Sequence, residues 1–199
     1  MFRARTLTAG CSFVFVLAVA TACGPSPDRA REGDRAAEPA HEELVRRGEY
    51  LVTVGGCNDC HTPWVMGEDG PAPDTDRRLS GHPEDLEMPP PPELPEGPWA
   101  WLGAGTNTAF AGPWGVTYAT NLTPDENTGL GIWSEDMFLA AMQEGRHMGR
   151  GRPIMPPMPW QNLGEMEEED LRAIFAYLQS LPAIENHVPE YRPPEEGSP

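Results

Sequence analysis

Leu51 to Pro63 reads LVTVGGCNDCHTP. Its centre, Cys57-Asn58-Asp59-Cys60-His61, constrains the fold more than any other stretch of the chain. Two cysteines separated by two residues suit three chemistries. A redox-active disulfide asks for a thioredoxin-like βαβ pattern, and none is visible. A zinc site asks for two further ligands at matching spacing, and no cysteine follows Cys60. The histidine directly after the pair selects the third chemistry, covalent haem attachment. The two vinyl groups of the porphyrin lie on neighbouring pyrroles along one edge, so thiols at this spacing form a thioether with each. The next residue is then carried beneath the iron, where an imidazole nitrogen binds it. The single motif therefore predicts one covalent haem c, attached at Cys57 and Cys60, with its iron held by His61.

The amino terminus says where such chemistry takes place. Arg3 and Arg5 precede an apolar run from Ser12 to Ala22, centred on Phe13, Val14, Phe15, Val16 and Leu17. Residues 1–22 read as a secretory signal peptide, too short for a membrane span. The small residues Ala20, Thr21 and Ala22 lead into Cys23 and resemble the cleavage box of bacterial lipoproteins. Cleavage at a nearby alanine, without lipid, is the alternative. Lipidation at Cys23 accounts for the cysteines: Cys11 leaves with the signal, Cys23 takes lipid, and Cys57 and Cys60 remain. An exported chain is not expected to leave two thiols idle, and c-type haem is attached outside the cytoplasm. The expected location is the periplasmic side of a bacterial membrane, lipid-anchored.

Charge narrows the partners. The 31 acidic residues outnumber 14 basic ones, all arginine, for a net charge of −17. That balance excludes nucleic-acid binding, which needs a basic face to displace phosphate counterions. It also excludes docking on anionic lipid through basic residues, so the membrane is expected to be reached through the N-terminal lipid only. With 24 prolines and 21 glycines, much irregular chain is expected around a modest core.

Residues 23–40, polar and without apolar periodicity, read as a flexible tether. Residues 41–190 form the expected domain, and 191–199 an acidic tail. A first helix is predicted from about Glu42 to Val54, with Leu44, Val45, Leu51 and Val52 on one face. Gly48 fills a position of that stripe, and Gly55-Gly56 ends the helix. Ser134 is a good N-cap for a helix stopped by Gly145. Leu171, Ile174, Phe175, Leu178 and Leu181 form the stripe of a last helix, preceded by acids and closed by Pro182. Between Thr62 and about Gly112 the chain reads as irregular, with a polyproline run from Met88 to Pro95. Trp64, Trp99, Trp101 and Trp114 suggest that this segment packs on something apolar, such as a large flat cofactor.

Iron held by His61 needs a donor on its other face, and methionine or histidine serves electron-transfer haem. Arg152 to Trp160 reads RPIMPPMPW, offering Met155 and Met158 on a loop stiffened by four prolines. A thioether is a weak ligand, so a loop with little entropy to lose suits it. Either methionine satisfies that reading.

LVTVGGCNDCHTP, together with GVTYATNLTPDENTGLGIW, MPPMPW and EEEDLRAIFAYLQSLP in the second half, resembles the class I cytochromes c of bacteria. The resemblance covers roughly residues 42–190. It implies an all-α cytochrome c fold, here with a long, irregular, Pro-rich insertion between the haem-attachment motif and the later helices. It also implies that the methionine before Pro159 and Trp160, Met158, is the distal ligand, and that Gly48 crosses the face bearing Phe175 or Leu178.

Filled axial positions leave no room for a substrate, so the expected function is one-electron transfer and not catalysis. The chain would act as a carrier or as the haem subunit of a dehydrogenase. Partners would be redox proteins with basic docking patches, a periplasmic dehydrogenase or a terminal oxidase among them. A competing haem-enzyme reading needs a distal acid–base group, for which His147 near Arg146 and Arg150 is the suggestive cluster. A binding module built on the polyproline run is a third reading. His41, His82 and His187 read as surface residues.

Overall fold

The computed structural model describes residues 27–93 and 97–194, with side-chain surroundings from residue 40 onward. Residues 1–22 and Cys23, read as signal and lipidation site, lie outside the described residues. The chain divides after Ala36 into two units. The packing below belongs to the second.

Helix α1, Pro27–Val54, starts well before the predicted Glu42. Residues read as irregular tether are therefore helical from Pro27. Pro27 stands at the first helical position, where a missing N–H costs nothing, and the alanines, arginines and glutamates that follow are good helix formers. Its C-terminal part carries the predicted apolar face: Leu51 and Val52 are buried, and Leu44 and Val45 pack against the same core. Helix α3, Glu135–Glu144, has the predicted caps. Ser134 Oγ accepts from Met137 N, and Gly145 closes the helix at φ 64°. Helix α5, Glu168–Ser180, buries Leu171, Ile174, Phe175 and Leu178 as expected, and also Ala173 and Tyr177. Phe138 of α3 and Phe175 of α5 lie with ring centroids 5.3 Å apart.

The all-α expectation is corrected. Among the described residues, five α-helices accompany two small antiparallel sheets, so the chain mixes α and β structure. Strands β1, Trp64–Gly67, and β2, Gly70–Pro73, form a hairpin. Strands β3, Leu102–Gly103, β4, Ala109–Gly112, and β5, Gly115–Tyr118, form a meander. All five fall in or just beyond the stretch read as irregular insertion. None exceeds four residues, and β2 reads Gly-Pro-Ala-Pro, a sequence depleted in strand formers and tolerated only at an edge. The tight turns come from Gly70 and Gly115, with φ of 113° and 98°. The extended segment after α5 also docks: Val116 and Arg192 exchange backbone hydrogen bonds of 2.8 and 3.0 Å. No helix among the described residues is long and apolar enough to cross a membrane.

The α1–α5 crossing frames the core. A Cβ on Gly48 would collide with the Ala173 carbonyl and with Tyr177 Cβ. The crossing thus uses Ala173 and Tyr177, one row over from the predicted Phe175 or Leu178. Arg47 adds a two-pronged contact to Asp170 at 2.9 and 3.1 Å, exposed and so worth little. The collision at Gly48 is with backbone, which cannot rotate away. Gly48→Ala should therefore cost about 3 kcal/mol, the upper end for overpacking, read as a lower denaturant midpoint with an unchanged slope. An unshifted midpoint would mean that the helices do not cross at this glycine.

Candidate functional site

Gly55 and Gly56 end α1, and Gly56 takes a left-handed φ of 68° that turns the chain into α2, Cys57–His61. One helical turn thus carries Cys57, Cys60 and His61. The two thiols stand three residues apart on a helix, hence on one face. Neighbouring loops grip this turn. Arg78 Nε donates to Asn58 Oδ1 at 3.1 Å, Leu79 N to Thr62 Oγ1 at 2.9 Å, and Asn107 Nδ2 to Asp59 O at 2.7 Å. Gly81 N donates to His61 O at 2.8 Å.

His61 is 7% exposed, and its Nδ1 lies 2.7 Å from the carbonyl oxygen of Thr120. A carbonyl only accepts, so the ring proton sits on Nδ1 and the lone pair on Nε2. Burial pushes the imidazole below its ordinary value, with the Thr120 bond pulling the other way, so the ring is held neutral. Burial pushes the Cys57 thiol up to about 11, and raises Cys60 as well, helped by the Asp59 charge. Protonated thiols of this kind are poor thiolate ligands for zinc. Among the described residues no three His, Cys, Asp or Glu side chains gather into a metal cage.

The methionine loop is anchored at two points. Ile154 N donates to Gly145 O at 2.8 Å as part of a bridge between Arg146 and Pro153, and Thr117 Oγ1 donates to Pro156 O at 2.8 Å. Trp160 opens α4, Trp160–Gly164, and its indole covers Gly145. Met155 and Met158 are both half-buried, and Met158, like Cys57, packs against the main core. The donor set fits covalent haem. Two neutral thiols share a face, a neutral imidazole has its Nε2 lone pair free of the proton, and a thioether stands on a pinned loop.

Other expected features do not converge. His147 packs edge-on against Trp133, with centroids 4.9 Å apart, and the Arg146 guanidinium turns to Gly151 O. Trp99 is 73% exposed and Trp101 is exposed as well, so not every tryptophan of the insertion covers something apolar.

No protein-family model matches the sequence. It is 31% identical over 140 residues to the gluconate 2-dehydrogenase cytochrome c subunit of Pantoea cypripedii, matching 70% of this chain and 24% of that one. It is 38% identical over 146 residues to a nicotinate dehydrogenase subunit of Pseudomonas putida, matching 73% of this chain and 9% of that one. A diheme cytochrome c-type protein of Cereibacter sphaeroides is 26% identical over 179 residues, 89% of this chain and 49% of that one. The chain is a relative of c-type cytochromes. It spans a quarter or less of the first two relatives. The kinship implies covalent haem c with iron, which agrees with the donor set.

His82, expected at the surface, is fully buried. Its Nε2 donates to Leu86 O at 3.1 Å, so Nδ1 accepts from Thr108 Oγ1 at 2.9 Å, and Thr108 in turn meets Thr106 Oγ1 at 2.8 Å. Nothing in its neighbours, Gly81 and Pro83, announces burial. Desolvation pushes His82 below its ordinary value, against the opposing pull of the Leu86 carbonyl and the Asp85 charge. Its folded-state pKa lies below the unfolded one. The neutral ring's stabilisation is thus complete above the unfolded pKa and is lost as pH falls through the folded one. Wild type should lose stability between pH 7 and pH 5, and His82→Gln should show a flatter profile over that range in denaturant titrations. Parallel profiles would mean that the buried ring accepts a proton without cost.

Proposed function

We propose that this chain carries one haem c, attached at Cys57 and Cys60, whose iron His61 Nε2 and the Met158 sulfur would hold. It passes single electrons as a carrier or as the haem subunit of a dehydrogenase on the periplasmic side of a bacterial membrane. One observation carries the reading: a single turn of helix presents two neutral thiols and a buried imidazole whose tautomer the Thr120 carbonyl fixes. When bound, the haem supplies a one-electron couple between ferric and ferrous iron. Thr120 holds the proton on Nδ1 and so keeps Nε2 a donor of constant strength. Methionine donates less electron density than a second histidine would, which raises the potential. With His61 and Met158 both committed to the iron, the site would pass electrons and leave no position for a substrate. A single CxxCH motif supports one haem in this chain, where the Cereibacter relative is named as diheme.

The dehydrogenase partner draws support from the names of the relatives, which include cytochrome subunits of gluconate, alcohol and fructose dehydrogenases. A net charge of −17 suits a partner with a basic docking patch, steered at low ionic strength. The lipid anchor rests on residues 1–23 alone.

A substitution series tests the haem. Wild type should keep its haem stain through denaturing electrophoresis, and the double variant Cys57→Ala, Cys60→Ala should lose it. Met158→Ala should lose the weak long-wavelength sulfur band, lower the potential and admit cyanide, while Met155→Leu keeps the band. Loss of the band from the Met155 variant alone would reverse the ligand assignment. For the anchor, mass spectrometry of the amino-terminal peptide should find Cys23 modified by more than one acyl chain, as stable membrane attachment requires. An unmodified start elsewhere would mean a plain secretory signal.

A further inference from the structure

The chain after α5 reaches back to the attachment turn through Asn186, which is 6% exposed. Both ends of its side-chain amide are hydrogen-bonded. Nδ2 donates to Ser80 O at 2.7 Å and His82 O at 2.9 Å, and Oδ1 accepts from Glu84 N at 2.9 Å. Its backbone N donates to Thr128 Oγ1 at 3.1 Å. The two carbonyls it holds flank Gly81, whose N–H grips His61 O. Gly81 has a left-handed φ of 83°, and its missing side chain leaves space that the Ala119 and Thr120 backbone fills. His82 N donates to Ala119 O at 2.9 Å. On the far side of Thr120, Asn121 Nδ2 donates to Ile184 O at 2.7 Å and Leu122 N to Leu79 O at 2.8 Å. The Thr120 carbonyl, the acceptor for His61 Nδ1, therefore sits between two segments that Ile184–Asn186 ties together.

We propose that Asn186 is a positioning residue for His61, setting through the 80–84 loop how firmly the Thr120 carbonyl holds the Nδ1 proton. The proposal rests on the reading of His61 as an iron ligand. Without Asn186, the Ser80 and His82 carbonyls are left buried without this partner, the Glu84 N–H loses its acceptor, and the 80–84 and 119–122 segments loosen together. A weaker bond at Nδ1 makes Nε2 less basic. Ferric iron is then less stabilised, and the potential rises.

The test uses the full-length haem-loaded protein as wild type, Asn186→Ala, Asn186→Asp and Asn186→Ser, with Leu178→Ala as a core-destabilised control. Asp keeps the acceptor for Glu84 N but sets a carboxylate against two carbonyls, while Ser gives a milder loss should the others fold poorly. Two readouts are taken: the reduction potential, and the hydrogen–deuterium exchange of the His61 Nδ1 proton. All Asn186 variants that fold should show a higher potential and exchange about tenfold faster, as expected for losing one buried hydrogen-bonded anchor. Leu178→Ala should lower stability and leave the potential in place. Asn186 variants that lose stability while potential and exchange stay at wild-type values would overturn the proposal, since a merely structural asparagine behaves that way. If wild type holds no covalent haem, the ligand reading fails, and the exchange rate of the His61 proton in the same variants still decides whether Asn186 governs the Thr120 bond.

Discussion

The hydrogen bond from His61 Nδ1 to the Thr120 carbonyl organises more of this molecule than any other contact. It joins residues 59 positions apart across 2.7 Å and removes the ambiguity of a histidine ring, because a carbonyl offers no proton. It also satisfies the polar group that burial would otherwise leave alone, and an unpartnered buried donor costs on the order of 1–3 kcal/mol. For the bond to hold, α2 must not rotate and Thr120 must not drift. Asn58, Asp59, His61 and Thr62 are each hydrogen-bonded to the 78–81 loop or to Asn107. Ala119 and Leu122, on either side of Thr120, bond back to His82 and Leu79. The loops of this chain are therefore fixed by one another, with little regular structure in them.

The helices and the sheets divide the work. Helices α1, α3 and α5 supply the apolar core, and Gly48 lets α1 lie directly on the backbone of α5. That close approach brings the end of α1, and so the Gly55-Gly56 turn, to a set place. The meander then supports both halves of the site: Asn107, just before β4, holds Asp59, and Thr117 of β5 holds Pro156 in the methionine loop. The insertion, which looks like spare chain when read as sequence, contributes backbone and side-chain partners to the attachment turn.

What was legible in the sequence was local. Cys57, Cys60 and His61 announce themselves by spacing, Ser134 by its place before two acids, and α5 by a stripe recurring every three to four residues. Each of these is settled within one or two helical turns. Strands of two to four residues rich in glycine and proline carry no period long enough to detect, so the meander and the hairpin were hidden. His82 was hidden for a different reason, since its burial comes from Thr108, Leu86 and Tyr118, which are distant or unpatterned in sequence. The crossing at Gly48 was half legible: the glycine showed, but the row it meets depends on the crossing angle, which selects Ala173 and Tyr177 over the larger Phe175 and Leu178.

The methionine loop shows how the two kinds of information combine. Four prolines make residues 152–160 stiff, yet stiffness alone does not aim a side chain. A stiff loop attached at one end still swings as a body. Here the loop is attached at its N-terminal flank through the Arg146–Pro153 bridge and in the middle through Thr117, and at its other flank the Trp160 indole lies against Gly145. Met155 and Met158 are three residues apart, and only Met158 is among the side chains packed against the core that also receives Cys57. Rotation of the loop that exchanged the two would have to break the Thr117 contact and pull Met158 out of apolar surroundings. The packing of the half-buried Met158 and the hydrogen bond to Pro156 both oppose that rotation, the latter by about 1 kcal/mol. The register of the loop, and with it the placement of both sulfurs, is thus held by packing of Met158 and one hydroxyl of β5.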